Sequence, residues 1–136
     1  MVSWITQLVV HADWRRRGIA KRLCRIAWGT RKYFAYGLVS SHPYAVRALE
    51  GATVRRCDRN LAAQHAQELI EYSCIPYMKG KTLCFDDGRC LIDTQFPVDH
   101  SGVEQLLLTI KDWQLGPLED NKEFFAFTFA TTPTSC

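Results

Sequence analysis

The chain has 136 residues, which fits one domain with a core of its own. Hydrophobic residues make up 47% and charged residues 23%, as in soluble globular proteins, and a net charge of +3 does not by itself imply nucleic acid or a membrane surface. No apolar run is long enough to span a bilayer, and the N-terminus lacks the basic and apolar regions of a secretory signal. The cysteines Cys24, Cys57, Cys74, Cys84, Cys90 and Cys136 form no Cys-x-x-Cys pair and no zinc-type spacing with histidine. They read as reduced thiols, several of them buried, in a cytoplasmic or nuclear protein, and no metal is expected.

Residues 4–10 read as a first strand, closed by the apolar run Leu8, Val9 and Val10. Trp14, Arg15, Arg16, Arg17 and Gly18 then form a basic turn. Ile19, Ala20, Leu23, Ile26 and Ala27 follow at helical spacing, with Gly29 as the helix stop. A helix that begins at a glycine-bearing turn points its free N–H groups and the positive end of its dipole at the loop. Arg15, Arg16, Arg17, Lys21, Arg22, Arg25, Arg31 and Lys32 add charge, so this is a site for a phosphate or pyrophosphate; the plainer alternative is a solvated basic helix start. Residues 33–39 are aromatic and β-branched and read as a second strand, which makes a βαβ unit with parallel pairing. Ser40, Ser41, His42 and Pro43 open the next helix, whose apolar face is Ala45, Val46, Leu49 and Ala52.

Asp58 and Asn60 are candidate caps for a helix over 61–72, with Leu61, His65, Leu69 and Tyr72 along one side and Pro76 beyond its end. Strands over 81–85 and 89–94 flank Asp86-Asp87-Gly88, so a hairpin is expected. Gly80-Lys81-Thr82 is not a phosphate-binding P-loop, because Ile75 stands where that motif needs glycine. Ser101 and Glu104 read as a capping box for a helix over 102–115, with the stripe Val103, Leu106, Leu107, Ile110 and Trp113. Residues 123–130, rich in phenylalanine, read as a last, mostly buried strand, and the tail beyond is polar. No paired carboxylates and no Ser-His-Asp arrangement stand out by spacing.

The run Arg15-Arg16-Arg17-Gly18-Ile19-Ala20 fits the pattern Gln/Arg-x-x-Gly-x-Gly/Ala, with Val10 and Trp14 ahead of it. It resembles the acyl-CoA pyrophosphate loop of the GNAT superfamily of N-acyltransferases. The run from His42 to Glu50 resembles the family's helix Asn-x-x-Ala-x-x-x-Tyr-Glu, with Ala45 and Glu50 matching. The resemblance implies acetyl-CoA as co-substrate, held where two central parallel strands splay apart. It implies backbone bonds from Leu8 and Val10 to the pantetheine and thioester. Arg15, Arg16, Arg17, Gly18, Ile19, Ala20 and Lys21 would surround the pyrophosphate, and His42 would stand where the family's Asn meets the pantetheine arm. Leu49 occupies the place of the Tyr that protonates the leaving thiolate in many members, and leucine has no proton to donate. His42, Tyr44 and Ser41 are the nearby candidates for that role; no general base is named.

The fold class implied is α/β (α+β, with a mixed sheet): a single, partial GNAT-like domain over 1–136, with a central parallel βαβ unit followed by a hairpin, a helix and a strand. On this resemblance the family's elements ahead of its first splayed strand are expected to be absent from this chain, as in a fragment or truncated form. That leaves an open strand edge for a second copy or another subunit to cover. The function implied is transfer of an acetyl group to an unidentified amine by direct attack on the thioester. The alternatives are a non-catalytic acyl-CoA-binding or structural remnant, and a basic nucleic-acid module built on the arginine cluster with Trp14, Trp28 and Tyr33. The βαβ context and the lack of any recognised nucleic-acid motif weigh against the last. No membrane partner is expected.

Overall fold

The structure, a computed structural model, describes residues 2–6, 8, 12–14, 17–73, 75–95 and 102–130. Its elements in chain order are β1 (Val2–Ile5), α1 (Ile19–Trp28), β2 (Ala35–Ser40), α2 (Pro43–Thr53), α3 (Arg59–Gln64), α4 (Ala66–Tyr72), β3 (Leu83–Cys84), β4 (Leu91–Asp93), α5 (Val103–Leu108) and β5 (Lys122–Phe129). The strands form one sheet in the order β1-β2-β5-β4-β3. β1 and β2 are parallel, joined through α1, and every other pairing is antiparallel. A mixed sheet with a parallel βαβ unit is what the sequence pattern called for.

β5 holds the centre, and its composition explains why. All of 124–129 is buried, the signature of a strand covered on both faces. Successive side chains alternate between those faces. On one face Phe127 meets Trp4 edge-on at 4.9 Å, and the Trp4 indole donates to Leu69 O of α4 at 2.8 Å. On the other, Phe124 meets Trp113 at 4.9 Å, while Trp28 of α1 packs on Tyr36 at 4.6 Å and donates to Ser3 Oγ at 2.9 Å. The sheet is thus sandwiched between α4 and the α1 side.

Gly29 stops α1, its N–H bonding Arg25 O at 3.0 Å. The hairpin is present in shorter form. Asp87 and Gly88 both take positive φ, and Arg89 N–H closes the turn on Asp86 O at 2.9 Å, the geometry Asp-Gly favours. Cys24, Cys57 and Cys90 are buried free thiols. Burial pushes the Cys90 thiol up to about 12 and holds Cys57 well above its ordinary value. Cys74 and Cys136 lie outside the described residues. No helix among the described residues is long and apolar enough to cross a membrane.

Four expectations need correction. The first strand is Val2–Ile5 rather than 4–10: its partner β2 begins at Ala35, and the register runs from Val2 opposite Ala35 to Ile5 opposite Leu38. Leu8 follows in no strand, half-buried against the core, and Gln7, Val9 and Val10 lie outside the described residues. The helix over 61–72 is two helices, broken at His65, whose ring is drawn between Phe34 (5.2 Å) and Phe129 (6.0 Å). Tyr72, expected along its packed side, is exposed. The helix over 102–115 ends at Leu108, because Trp113 turns onto Phe124 and its indole donates to Gly116 O at 2.8 Å. Gly102, at φ 82° and without a side-chain cap bond, takes the N-cap place expected of Ser101, which lies outside the described residues.

Candidate functional site

Helices α1 and α2 each begin after the carboxyl end of one of the two parallel strands, which is where ligands bind in sheets of this kind. The two strands do not stay together there. Pairing of β1 with β2 ends at Ile5 opposite Leu38, while β2 continues through Val39 and Ser40, bound on its other side to Phe125 and Phe124 of β5. Among the described residues, none pairs with Val39 or Ser40 on the side towards β1.

The start of α1 carries the first half of the site. Gly18 is the N-cap at φ 75° and ψ 12°, a left-handed conformation that glycine adopts without a Cβ penalty. It brings no side chain to cap the helix, and the space beside it is open. The first helical bond runs from Arg22 N–H to Gly18 O at 3.0 Å, so the amides of Ile19, Ala20 and Lys21 have no acceptor within the helix. Arg17 stands beside them with its guanidinium 4.8 Å over the Trp14 ring, and Trp14 is 55% exposed. Arg17 thus stands next to three amides without a helical acceptor, an arrangement suited to an anion.

Two members of the basic cluster do something else. The Arg25 guanidinium donates from Nε to Ala52 O and from Nη2 to Gly51 O, each at 3.3 Å, satisfying carbonyls at the end of α2. Lys21 lies half-buried with its Cδ 3.5 Å from where a Cβ on Gly51 would sit. These residues join α1 to α2, while Arg22, Arg31 and Lys32 are exposed.

The start of α2 carries the second half. His42 is the N-cap in an extended conformation, with Pro43 at the first helical position, as the sequence pattern anticipates. Its Nδ1 accepts from Tyr44 N–H at 3.1 Å, and its own N–H donates to Ser40 Oγ at 3.0 Å. A neutral ring that accepts at Nδ1 carries its proton on Nε2. Ser41 and Tyr44 are half-buried beside it, the Tyr44 ring 5.1 Å from the imidazole. Replacing His42 with Ala is expected to cost about 1 kcal/mol of stability through the lost cap, with Asn at the same position restoring most of it. Thermal melts of the three proteins check this, and equal melting of the Ala variant and the parent would remove the cap from the account.

Leu49 is fully buried in the core, so the place of a thiolate-protonating Tyr is filled by packing. Arg17, Gly18, Ile19, Ala20 and Lys21 share the first turn of α1 and its approach; Ser41, His42 and Tyr44 share the start of α2. Leu8 lies in neither a strand nor a helix, half-buried against the core, and Val10, Arg15 and Arg16 lie outside the described residues. The unpaired stretch Val39–Ser40 was not singled out from sequence, because a strand's outer pairing is a tertiary fact. Among the described residues, no three His, Cys, Asp or Glu side chains are grouped to hold a metal. Comparison with protein-family models, curated proteins and solved structures returns no match.

Proposed function

We propose that this end of the sheet binds an acyl-CoA, acetyl-CoA first among them, and that the chain is an N-acyltransferase of the GNAT type. The observation that carries the reading is the left-handed Gly18 that opens α1 without a side-chain cap, in the connection between the two parallel strands. On this reading the pyrophosphate sits on the amides of residues 18–21 with Arg17 at its side. The pantetheine amides run along the free backbone of Val39 and Ser40, outside the ladder formed with β1. The acceptor's neutral amine attacks the thioester carbonyl: an N–C bond forms, the C–S bond breaks, and the thiolate leaves with a proton. His42, Ser41 and Tyr44, gathered at the start of α2, are the candidate donors for the oxyanion or the thiolate.

The burial of Leu49 favours a second reading, an acyl-CoA-binding protein without turnover. The nucleic-acid reading loses ground, since Arg25 and Lys21 are engaged by α2. Melting the chain with and without millimolar acetyl-CoA tests the binding. At a hundredfold excess over Kd the stabilisation is about 2.7 kcal/mol, and the Arg17→Glu, Gly18→Asp double variant is expected to show none of it. A parent melt that acetyl-CoA leaves unmoved overturns the reading. Acetyl transfer to a panel of amines then separates enzyme from binder, with His42→Ala expected to slow turnover about a hundredfold if it is the acid.

A further inference from the structure

A cleft of about 320 Å³ opens where the chain passes from α2 to α3, lined by Arg56, Cys57, Asp58, Arg59, Asn60 and Gln114. It lies at the end of the sheet away from His42. Arg55, just before it, donates to Phe129 O, and Phe129 pairs with Ala35 at the start of β2. Its walls are fixed from both sides. Cys57 N–H donates to Glu50 Oε2 at 2.9 Å, Asp58 N–H to Phe127 O at 3.0 Å, and Asp58 Oδ1 accepts from Leu61 N–H at 3.0 Å. The lining segment is therefore held to β5, α2 and α3 before any ligand arrives, which is the condition for a site that binds without first ordering itself.

The charges in the cleft are unusual for their neighbourhood. Arg47, Arg55 and Arg89 each bond a carboxylate or a main-chain carbonyl. Arg56 and Arg59 line the cleft with neither kind of partner among the described residues. Arg59 is half-buried, its Nη1 3.3 Å from where a Cβ on Gly88 would sit, so the hairpin turn sets where its guanidinium lies. Asn60 and Gln114 add neutral amides on either side, and the Asp58 carboxylate, capping α3 with one oxygen, leaves its other oxygen as an acceptor in the lining. Two guanidinium forks that pair with no carboxylate among the described residues, Asp58 included, match the two-oxygen edges of phosphate and carboxylate groups.

We propose that this cleft is a binding site for a small multivalent anion, a phosphate or carboxylate compound gripped by the Arg56 and Arg59 guanidinium groups. The site is separate from the helix starts and does not depend on the acyl-CoA reading. Inorganic pyrophosphate and citrate serve as probes, titrated by calorimetry into the parent at constant ionic strength, with sodium chloride making up the balance. The same titrations go into Arg56→Gln, Arg59→Lys and the Arg17→Glu, Gly18→Asp double variant.

At least one probe is expected to bind with a sub-millimolar Kd, and which one binds tells phosphate from carboxylate recognition. Arg56→Gln and Arg59→Lys are expected to weaken it by about tenfold each, the second by losing the fork while keeping the charge. The loop variant is expected to bind as the parent does, because α1 is not involved. Binding lost in the loop variant but kept in the two cleft variants would move the anion to α1 and overturn the proposal. So would two probes that give no saturable heat. Arg56 is exposed, so its variant reports on binding even if a change at Arg59 disturbs the packing on Gly88.

Discussion

Gly37→Ala is expected to lower the melting temperature by about 10 °C, although in an ordinary strand position the same change stabilises by removing backbone entropy. The reason is steric. Gly37 sits opposite Phe127 in the β2–β5 ladder, and a Cβ added there would lie 2.0 Å from Phe127 Cε1 and 2.1 Å from Cδ1. Real carbon contacts are near 3.5 Å, so the ring would have to move by more than an ångström. It has nowhere to go. Trp4, half-buried, abuts it edge-on at 4.9 Å and Phe125 lies at 4.7 Å, with Phe125 and Phe127 themselves buried. Overpacking of this kind costs about 1–3 kcal/mol and occasionally more, and the distances here put it at the upper end.

The cycle with Phe127→Ala separates this cause from a general fragility of the strand. Phe127→Ala alone costs about 3–5 kcal/mol through the cavity it leaves. In the double variant the new Cβ no longer meets a ring, so its loss should fall short of the sum of the two by about 1 kcal/mol or more. A Gly37→Ala protein that melts with the parent would mean that β2 and β5 do not pair in this register. That would also remove the support for Val39 and Ser40 standing free of β1 at the far end of the same strand.

How far the sequence could be read depends on which interactions decide each element. The βαβ unit was legible because its pattern is local: apolar runs, glycines at turns of direction, and Ser40-Ser41-His42-Pro43 marking a helix start, where the structure makes the His42 imidazole the cap. The hairpin was legible for the same reason, since Asp87 and Gly88 carry the turn in their own backbones. The break at His65 was not, because periodicity over 61–72 is continuous and only Phe34 and Phe129, distant in sequence, pull the ring out of register. The early end of α5 is similar: Trp113 continues the apolar stripe by spacing, yet it is placed by Phe124 and Arg47 rather than by a helix. The basic cluster shows the limit most plainly. Composition puts Lys21 and Arg25 with Arg17, and only the packing of α1 on α2 separates the two that join the helices from Arg17, which stands over Trp14. The cleft at Arg56 and Arg59 draws residues from either side of α3's start together with Gln114, and no spacing rule connects them.

Glu50→Ala is the second substitution expected to have a large effect, about 3 kcal/mol of stability or roughly 10 °C in melting temperature. The sequence placed Glu50 on α2 and gave it no task. In the structure it is a buried carboxylate with both oxygens bonded: Oε1 to Arg47 Nη1 at 2.7 Å and Oε2 to the buried Cys57 N–H at 2.9 Å. Arg47 in turn donates to Lys111 O and lies 5.5 Å over the Trp113 ring, so one carboxylate ties α2 to the cleft segment and to the loop after α5. Removing it strands a buried amide and leaves Arg47 without its counter-charge. Buried pairs broken on one side cost about 3–5 kcal/mol, and because the Arg47 side chain is 25% exposed to water the lower figure applies. Glu50→Gln keeps one acceptor and should lose about half as much. Arg47→Ala combined with Glu50→Ala should cost less than the two singles added, since neither partner is then left alone. The network also predicts an effect at a distance. Cys57 lines the anion cleft, so Glu50→Ala at a temperature well below its melt should weaken pyrophosphate or citrate there severalfold, without any change to a residue that touches the ligand. A Glu50→Ala protein that melts within 2 °C of the parent would mean that the carboxylate is not what fixes residues 56–60, and the preorganisation argued for the cleft would then rest on Asp58 and Phe127 alone.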